Sequence, residues 1–200
     1  MRALVTGGAI YGEGQGRDLP LDEEADCRPD APYGQSKLAA EGYVGMYGRI
    51  HGLATVSLRL ANVYGPRQDP LGEAGVAAIF SGALLEGRIP TVFGDGLQTR
   101  DYVYVGDVVE GFLAAADSRV GGVFNIGTGT ETDVLDLGRA IGDACGREFD
   151  PDHAPRRAGE VNRIAIDPSR AARELGWRPR TSLREGLART VEWARAAAAG

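Results

Sequence analysis

The stretch Pro-Asp-Ala-Pro-Tyr-Gly-Gln-Ser-Lys-Leu-Ala-Ala-Glu, residues 29–41, organises the interpretation of this chain because it places Tyr33 and Lys37 four residues apart at a helix start. Pro32 fits a first turn, and the run 36–46 then predicts helix. Side chains four residues apart share one helix face. A lysine ammonium beside a phenol stabilises the phenolate, which a general base working near neutral pH requires. We therefore predict Tyr33 as a general base and Lys37 as the group that tunes it.

The basic residues of the chain support this assignment. Of the 22, 21 are arginines, and Lys37 is the only lysine. Only an ammonium is a compact point charge, so a lysine here indicates a task that a guanidinium cannot perform. A Tyr-x-x-x-Lys spacing also arises by chance on solvated helix faces. The pair therefore needs support from the rest of the chain.

Composition and charge exclude several classes of protein. The chain has 200 residues, 43% hydrophobic and 25% charged, enough for one domain with a small second lobe. Its net charge of −6 argues against nucleic-acid binding. No apolar run is long enough for a membrane span. Cys27 and Cys145 are isolated, and the two histidines are scattered, so we predict no metal site and a reducing cytoplasm as the location.

The chain opens like a nucleotide-binding unit and then departs from it. Residues 2–8 predict a short buried strand that runs into a glycine turn. A dinucleotide loop continues with a third glycine and an amphipathic helix, but residues 9–20 are a polar, glycine-rich loop. The glycine fingerprint is thus broken after Gly8. Residues 13–32 are predicted to be exposed loop.

The remaining patterns alternate between strands and helices. Strands are predicted at 54–61, 90–93, 99–105 and 123–126, and helices at 73–87 and 134–145, followed by two further helices near the carboxyl end. Asp107 is interpreted as a helix N-cap. The strand 54–61 is apolar on both faces, as in a parallel sheet, and it ends at Asn62, where ligands bind in open α/β sheets. A polar turn closing the strand remains the alternative for Asn62.

Five ordered motifs carry a resemblance to a known family. They are Tyr33-x-x-x-Lys37, Leu58-Arg-Leu-Ala-Asn-Val-Tyr-Gly-Pro-Arg67, Phe93-Gly-Asp-Gly-Leu-Gln-Thr-Arg-Asp-Tyr-Val-Tyr-Val-Gly-Asp107, Asn125-Ile-Gly-Thr-Gly129 and Ala154-Pro-Arg-Arg-Ala-Gly-Glu160. With them the chain resembles the NAD-dependent epimerase/dehydratase family of extended short-chain dehydrogenases, from residue 9 to about residue 195. The resemblance implies an α/β fold: a truncated Rossmann-like parallel sheet with a small C-terminal α/β substrate-binding lobe. Residues 1–70, with 98–130 contributing, would be a remnant of the NAD-binding domain, and 71–200 mainly the sugar-nucleotide-binding lobe.

The resemblance also implies a reaction, epimerisation of a UDP-hexose at C4. Tyr33 would remove the proton of the sugar 4-hydroxyl while hydride passes to NAD, Lys37 would bond the nicotinamide ribose, and Thr6 would bond the reacting oxygen. The implied cofactor-binding residues are Gly7, Gly8, Tyr33, Lys37 and Leu60. The implied substrate-binding residues are Asn62, Val76, Phe93, Arg100, Arg157 and Glu160. Among these, Arg100 and Arg157 would clamp the diphosphate, Glu160 would bind the ribose, and Phe93 would lie near the uracil. A homodimer is implied as well.

The chain departs from the family before Tyr33. Three or four βα units, roughly a hundred residues, are absent, and with them the helix whose start holds the pyrophosphate. We hypothesise that Thr6-Gly7-Gly8 joins the end of the family's first strand to the loop after its fifth, so that residues 2–6 occupy the fifth strand's position. We therefore expect weak or no NAD binding, an incomplete dimer interface and a tendency to aggregate.

Several functions stay open on this basis. The first is a nucleotide-sugar 4-epimerase. A 4,6-dehydratase or a reductase is an alternative, although dehydratases carry an Asp-Glu pair where this chain has Gly7-Gly8. A non-catalytic sugar-nucleotide-binding fragment and a deletion product without a function are the others.

Overall fold

The computed structural model describes residues 3–13, 18–69, 75–157 and 160–198, with side chains from residue 9 onward. The strands are β1 (Ala3–Gly7), β2 (Val56–Leu60), β3 (Asn62–Tyr64), β4 (Thr91–Phe93), β5 (Thr99–Arg100), β6 (Tyr102–Tyr104), β7 (Gly122–Ile126), β8 (Thr132–Asp133) and β9 (Asp152–Ala154). The helices are α1 (Pro32–His51), α2 (Val76–Leu85), α3 (Val105–Asp117), α4 (Val134–Cys145), α5 (Ser169–Glu174) and α6 (Leu183–Ala198), with a 3-10 turn at Gly8–Ile10. Across these ranges, no helix combines the length and apolarity that crossing a membrane requires.

Strands β1, β2 and β7 form a three-stranded parallel sheet with β2 in the middle. Val5 of β1 is in register with Leu58 of β2, which is in register with Phe124 of β7. Residues 3–7 therefore pair in parallel with β2, and the junction at Thr6-Gly7-Gly8 stays a hypothesis. The predicted α/β class with a parallel sheet is confirmed.

Strand β2 is covered on both faces. Successive side chains of a strand point to opposite faces. Leu58 packs in one apolar cluster with Val108 of α3 and with Trp177, whereas Arg59 bonds Glu41 of α1. Helices α1 and α3 therefore lie on opposite faces of the sheet, and the predicted two-sided burial of this strand is confirmed.

A second apolar cluster holds α2, α4 and α6 together beside β4. Its most buried members include Phe80, Val92, Leu137 and Leu187. Two-stranded pairings join this lobe to the loops around it: β4 lies parallel to β9, and β5 lies antiparallel to β8. A further parallel pair, β3 with β6, continues from the end of β2. The predicted domain boundary at residue 70 stays a prediction.

Two local predictions were wrong because the residues concerned bind distant partners. Helix α3 begins at Val105 with Tyr104 as its N-cap residue, so Asp107 is not the cap. Its carboxylate instead accepts the backbone N–H groups of Arg180 and Thr181, which fixes the loop before α6. The predicted strand 99–105 is divided into β5 and β6 by Asp101, whose carboxylate accepts backbone N–H groups from the loop after β7.

The predicted exposed loop 13–32 is also only partly exposed. Leu21 and Ala25 are buried in a third cluster with Tyr11 and Ile166. Leu21 forms a parallel bridge with Ile166, which ties this loop to the segment before α5. Apolar residues four apart in an acidic, proline-containing stretch gave no periodic signal from which this burial could be predicted.

Candidate active site

The largest of the cavities described lies between α2 and the β4–β9 pair and has a volume of ≈ 400 Å³. All six residues predicted to bind substrate line it, although they come from five separate segments of the chain. They are Asn62, Val76, Phe93, Arg100, Arg157 and Glu160. We call this space the large cavity. Two arginines and a carboxylate on one wall, with α2 opposite, suit a ligand that carries both anionic and apolar groups.

Arg100 and Glu160 form the polar wall of the large cavity. The Arg100 guanidinium donates to the carbonyl oxygen of Thr99 at 2.8 Å and faces a Glu160 carboxylate oxygen at 3.5 Å. The second carboxylate oxygen of Glu160 is buried and has no hydrogen-bond partner among the described residues. A buried carboxylate oxygen without a donor is costly. This oxygen keeps an unused acceptor in a residue that lines the cavity.

Arg157 lies flat over Phe93 at the mouth of the cavity. The guanidinium carbon is 3.8 Å from the ring centroid, a cation–π contact. Phe93 ends β4, where it pairs with Ala154 of β9, so the strand pairing fixes the ring. Arg157 itself is exposed and comes from the loop after β9. Its donors remain near solvent, where an anion can reach them.

A smaller cavity of ≈ 270 Å³ adjoins the first. The two cavities share Asn62, Arg100 and Glu160. The smaller one continues along an apolar wall that includes Ile164 and reaches Ala9 in the 3-10 turn after β1. A ligand held by the shared residues can therefore extend from the large cavity toward the end of the sheet.

Tyr33 and Lys37 lie beside this smaller cavity rather than in its wall. Tyr33 is 57% exposed, and the Lys37 ammonium lies 5.3 Å from its ring centroid, so the predicted neighbours are in contact. The next residue, Gly34, packs so closely that a Cβ there would stand 2.5 Å from the carbonyl oxygen of Ala9. The helix start is thus one residue from a wall of the smaller cavity. The side chain of Thr6 lies outside the described residues.

Tyr102 is a candidate that the sequence interpretation missed. It lines the large cavity and is 6% exposed, yet its hydroxyl has no hydrogen-bond partner among the described residues. Burial raises the pKa of Tyr102, so the hydroxyl stays protonated at neutral pH. The strand periodicity could have identified it: in extended chain, side chains two residues apart lie on the same face, so Tyr102 can face the same side as Arg100.

The predicted cofactor residues lie at the carboxyl ends of β1 and β2 and at the start of α1. Leu60 ends β2, and Gly7 ends β1, where a 3-10 turn of three residues follows. Among the described residues after that turn, no helix begins before Pro32. A pyrophosphate needs the free N–H groups of a helix start immediately after the glycine turn. The roles of Tyr33 and Lys37 toward the nicotinamide ribose stay predictions, and the described residues between that turn and Pro32 include no helix start of the kind that holds a pyrophosphate. No cluster of His, Cys, Asp or Glu in the described ranges could hold a metal ion.

A parallel sheet whose carboxyl ends adjoin an arginine-lined cavity in a second lobe defines a nucleotide-binding type of α/β protein. The model of the family described as GDP-mannose 4,6 dehydratase matches residues 5–190. A UDP-glucose 4-epimerase of Mycolicibacterium smegmatis is 47% identical over 191 residues, 95% of this chain and 60% of that protein. The chain therefore belongs to the NAD-dependent epimerase/dehydratase family, as the resemblance predicts.

Solved structures agree with this assignment. The crystal structure of UDP-glucose 4-epimerase with UDP-glucose from Thermotoga maritima has a TM-score of 0.93 and 43% identity, covering 98% of this chain and 64% of that one. The complex of a Thermus thermophilus UDP-glucose 4-epimerase with NAD has a TM-score of 0.88 and 41% identity, covering 98% and 65%. The chain spans about 60% of the length of the curated relatives it matches.

Proposed function

We propose that this chain binds a UDP-hexose and carries the sugar-nucleotide side of a UDP-glucose 4-epimerase, with Tyr33 as its general base. The main support is that the six residues predicted for substrate all line the large cavity. Its volume of ≈ 400 Å³ is that of a small-molecule site. The relative from Thermotoga maritima, solved with UDP-glucose, has the same fold over 98% of this chain.

In this proposal the nucleotide lies in the large cavity. Arg100 and Arg157 bind the two phosphates, because planar guanidinium forks match phosphate oxygens and tolerate desolvation. The unpartnered oxygen of Glu160 accepts a ribose hydroxyl. Phe93 and Val76 flank the uracil. The hexose then passes Asn62 into the smaller cavity.

The reaction proposal concerns proton transfer at Tyr33. The Tyr33 side chain, with the Lys37 ammonium 5.3 Å from its ring centroid, takes the proton of the sugar 4-hydroxyl, and the Thr6 hydroxyl bonds the same oxygen. NAD, when bound, supplies hydride acceptance and return at C4. Because the described residues between the turn after β1 and Pro32 include no helix start of the kind that holds a pyrophosphate, we expect NAD to bind weakly. The cytoplasmic location and an incomplete homodimer interface remain predictions.

Calorimetric titration with UDP tests the binding proposal without any cofactor. We expect saturable 1:1 binding that weakens in Arg157→Met and is unchanged in Arg139→Met, a matched change at an exposed arginine of α4. A folded protein that binds no UDP at millimolar concentration contradicts the proposal. Conversion of UDP-galactose to UDP-glucose with added NAD tests the reaction, and Tyr33→Phe should abolish it.

A non-catalytic sugar-nucleotide-binding protein is the second candidate. The observation that favours it is the 3-10 turn after β1 where a dinucleotide-binding helix would begin. UDP binding together with no turnover at saturating NAD would select it over the epimerase. A dehydratase is less well supported, because Gly7 and Gly8 stand where those enzymes carry an acidic pair, and a 4-keto-6-deoxy product from a nucleotide-glucose would reveal it.

A further inference from the structure

A buried ion pair joins α1 to the centre of the sheet. Arg59 of β2 is 5% exposed, and its guanidinium donates to both carboxylate oxygens of Glu41, at 2.7 and 3.0 Å. This is the bidentate geometry that fixes direction as well as distance. Burial alone would lower the pKa of Arg59, but the hydrogen bonds to Glu41 and Tyr11 outweigh it, so the pKa is raised and the guanidinium stays charged.

The Arg59 guanidinium also forms hydrogen bonds with groups other than Glu41. Arg59 donates to the Tyr11 hydroxyl at 2.8 Å and to the carbonyl oxygen of Glu23 at 3.1 Å. Tyr11 in turn donates to the Asn125 side-chain oxygen of β7, also at 2.8 Å. The Arg59 head group is therefore fixed between two strands of the sheet and a loop. Because the Arg59 guanidinium is held in place, a rotation of α1 would move the Glu41 carboxylate away from its donor.

Besides the ion pair, helix α1 packs closely through two glycines, Gly34 against Ala9 and Gly48 against Thr55, and these contacts lack the directionality of the bidentate pair. Of its twenty residues, all of them described, Gly34 alone is buried. Leu38 packs only partly against a core cluster. Tyr33, Lys37 and Glu41 follow one another at intervals of four, so they form one stripe along the helix. Any rotation that moves Glu41 therefore moves Tyr33 in the same sense.

We propose that the Glu41–Arg59 pair is a positioning contact that helps to set the rotation of α1 about its axis, and with it the position of Tyr33 beside the smaller cavity. Glu41 touches neither cavity and acts through the helix, so it is a positioning residue and not a catalytic one. The inference deepens the proposed function and rests on it for the role of Tyr33. The rotation itself can be measured without turnover.

The test uses residual dipolar couplings of the α1 backbone amides in weakly aligned protein. In a helix these couplings oscillate with the 3.6-residue period, and their phase reports rotation about the axis relative to β2 and β7. Glu41→Asp keeps the charge, but its side chain is one carbon, about 1.5 Å, shorter. At a distance of about 5–6 Å from the helix axis, a displacement of that size corresponds to a rotation of α1 by about 15° about its axis. Glu41→Gln removes the charge and serves as the second variant.

We expect a phase change in both variants and none in Glu185→Gln, which breaks an exposed ion pair on α6. An unchanged α1 phase in folded Glu41→Asp overturns the proposal. Where the parent chain turns over UDP-galactose, Glu41→Asp should lower kcat by about tenfold or more with an unchanged UDP dissociation constant. A parent chain without turnover contradicts the proposed function only, because the coupling phase still decides whether the pair sets the rotation.

Discussion

Replacing Tyr102 by phenylalanine should stabilise the free protein. The Tyr102 hydroxyl is buried and lacks a hydrogen-bond partner among the described residues. An unpaired buried hydroxyl costs about 1–3 kcal/mol relative to the solvated group. Tyr102→Phe removes that cost and keeps the ring, so we expect the free energy of unfolding to rise by about 1 kcal/mol. For a chain of this size the midpoint of thermal unfolding should rise by about 2–4 °C.

The same substitution should weaken UDP binding. Tyr102 lines the large cavity, and we expect a small shift of its ring to bring the buried hydroxyl to a bound nucleotide, which would supply the missing partner. The loss of one neutral hydrogen bond is worth about 0.5–1.5 kcal/mol, a rise of about 2- to 12-fold in the dissociation constant. Stability and affinity therefore change in opposite directions. A residue with a purely structural role gives no such combination.

Urea denaturation followed by circular dichroism, together with calorimetric UDP titration, measures both quantities on one preparation. Tyr64→Phe is the matched control, because Tyr64 is also buried, lies outside the large cavity and donates to the carbonyl oxygen of Leu183 at 3.3 Å. That variant should lose about 1 kcal/mol of stability and keep its UDP affinity. If Tyr102→Phe is destabilised to the same extent as Tyr64→Phe, the hydroxyl is hydrogen-bonded in the free protein and the reasoning is refuted.

Three further predictions concern charge and packing. Arg100→Met should raise the UDP dissociation constant by about 10- to 150-fold, the value of a charge-assisted hydrogen bond, and an unchanged constant in calorimetry would remove this residue from the site. Arg163, by hydrogen bonds and charge, holds the pKa of Glu131 below its usual 4.5, so this carboxylate stabilises the fold above about pH 4.5 and ceases to do so as the pH falls through its lowered pKa. Glu131→Gln should therefore have a lower urea midpoint than the parent at neutral pH, and the difference should vanish as the pH falls through the lowered pKa of Glu131; a difference independent of pH contradicts this. Gly138→Ala should lower the free energy of unfolding by about 1–3 kcal/mol, because the added Cβ would overlap a phenylalanine ring. Gly42 lies in a helix with open space around it, so Gly42→Ala should raise that free energy by about 0.5–1 kcal/mol. Equal urea midpoints for the two variants would contradict both expectations.

The elements that could be predicted from the sequence are those whose causes are local. Helix α4 occupies Val134–Cys145 as predicted, because an apolar stripe ends at Gly146 in the left-handed conformation and Asp133 caps the start. Asp107 carries the same local capping pattern, yet its carboxylate binds Arg180 and Thr181, more than seventy residues away. No pattern within one turn of helix contains that information. The division of the strand at Asp101 has the same cause.

The residues of the candidate site also differ in whether their supporting elements could be predicted from the sequence. The side chains of the large cavity are mainly supported by α2, α4, β4 and β9, which lie within the described residues 75–157 and share one apolar cluster or one strand pairing. The motif resemblance named Phe93 and Arg100, which line this cavity together with Tyr102, and their binding of substrate stays a prediction. The cofactor side depends instead on the segment after β1, where one 3-10 turn leads to a loop. The two sides meet at the smaller cavity, where Ala9 lies with Asn62, Arg100 and Glu160, so a dependence of UDP affinity on NAD in titrations would reveal coupling through that contact.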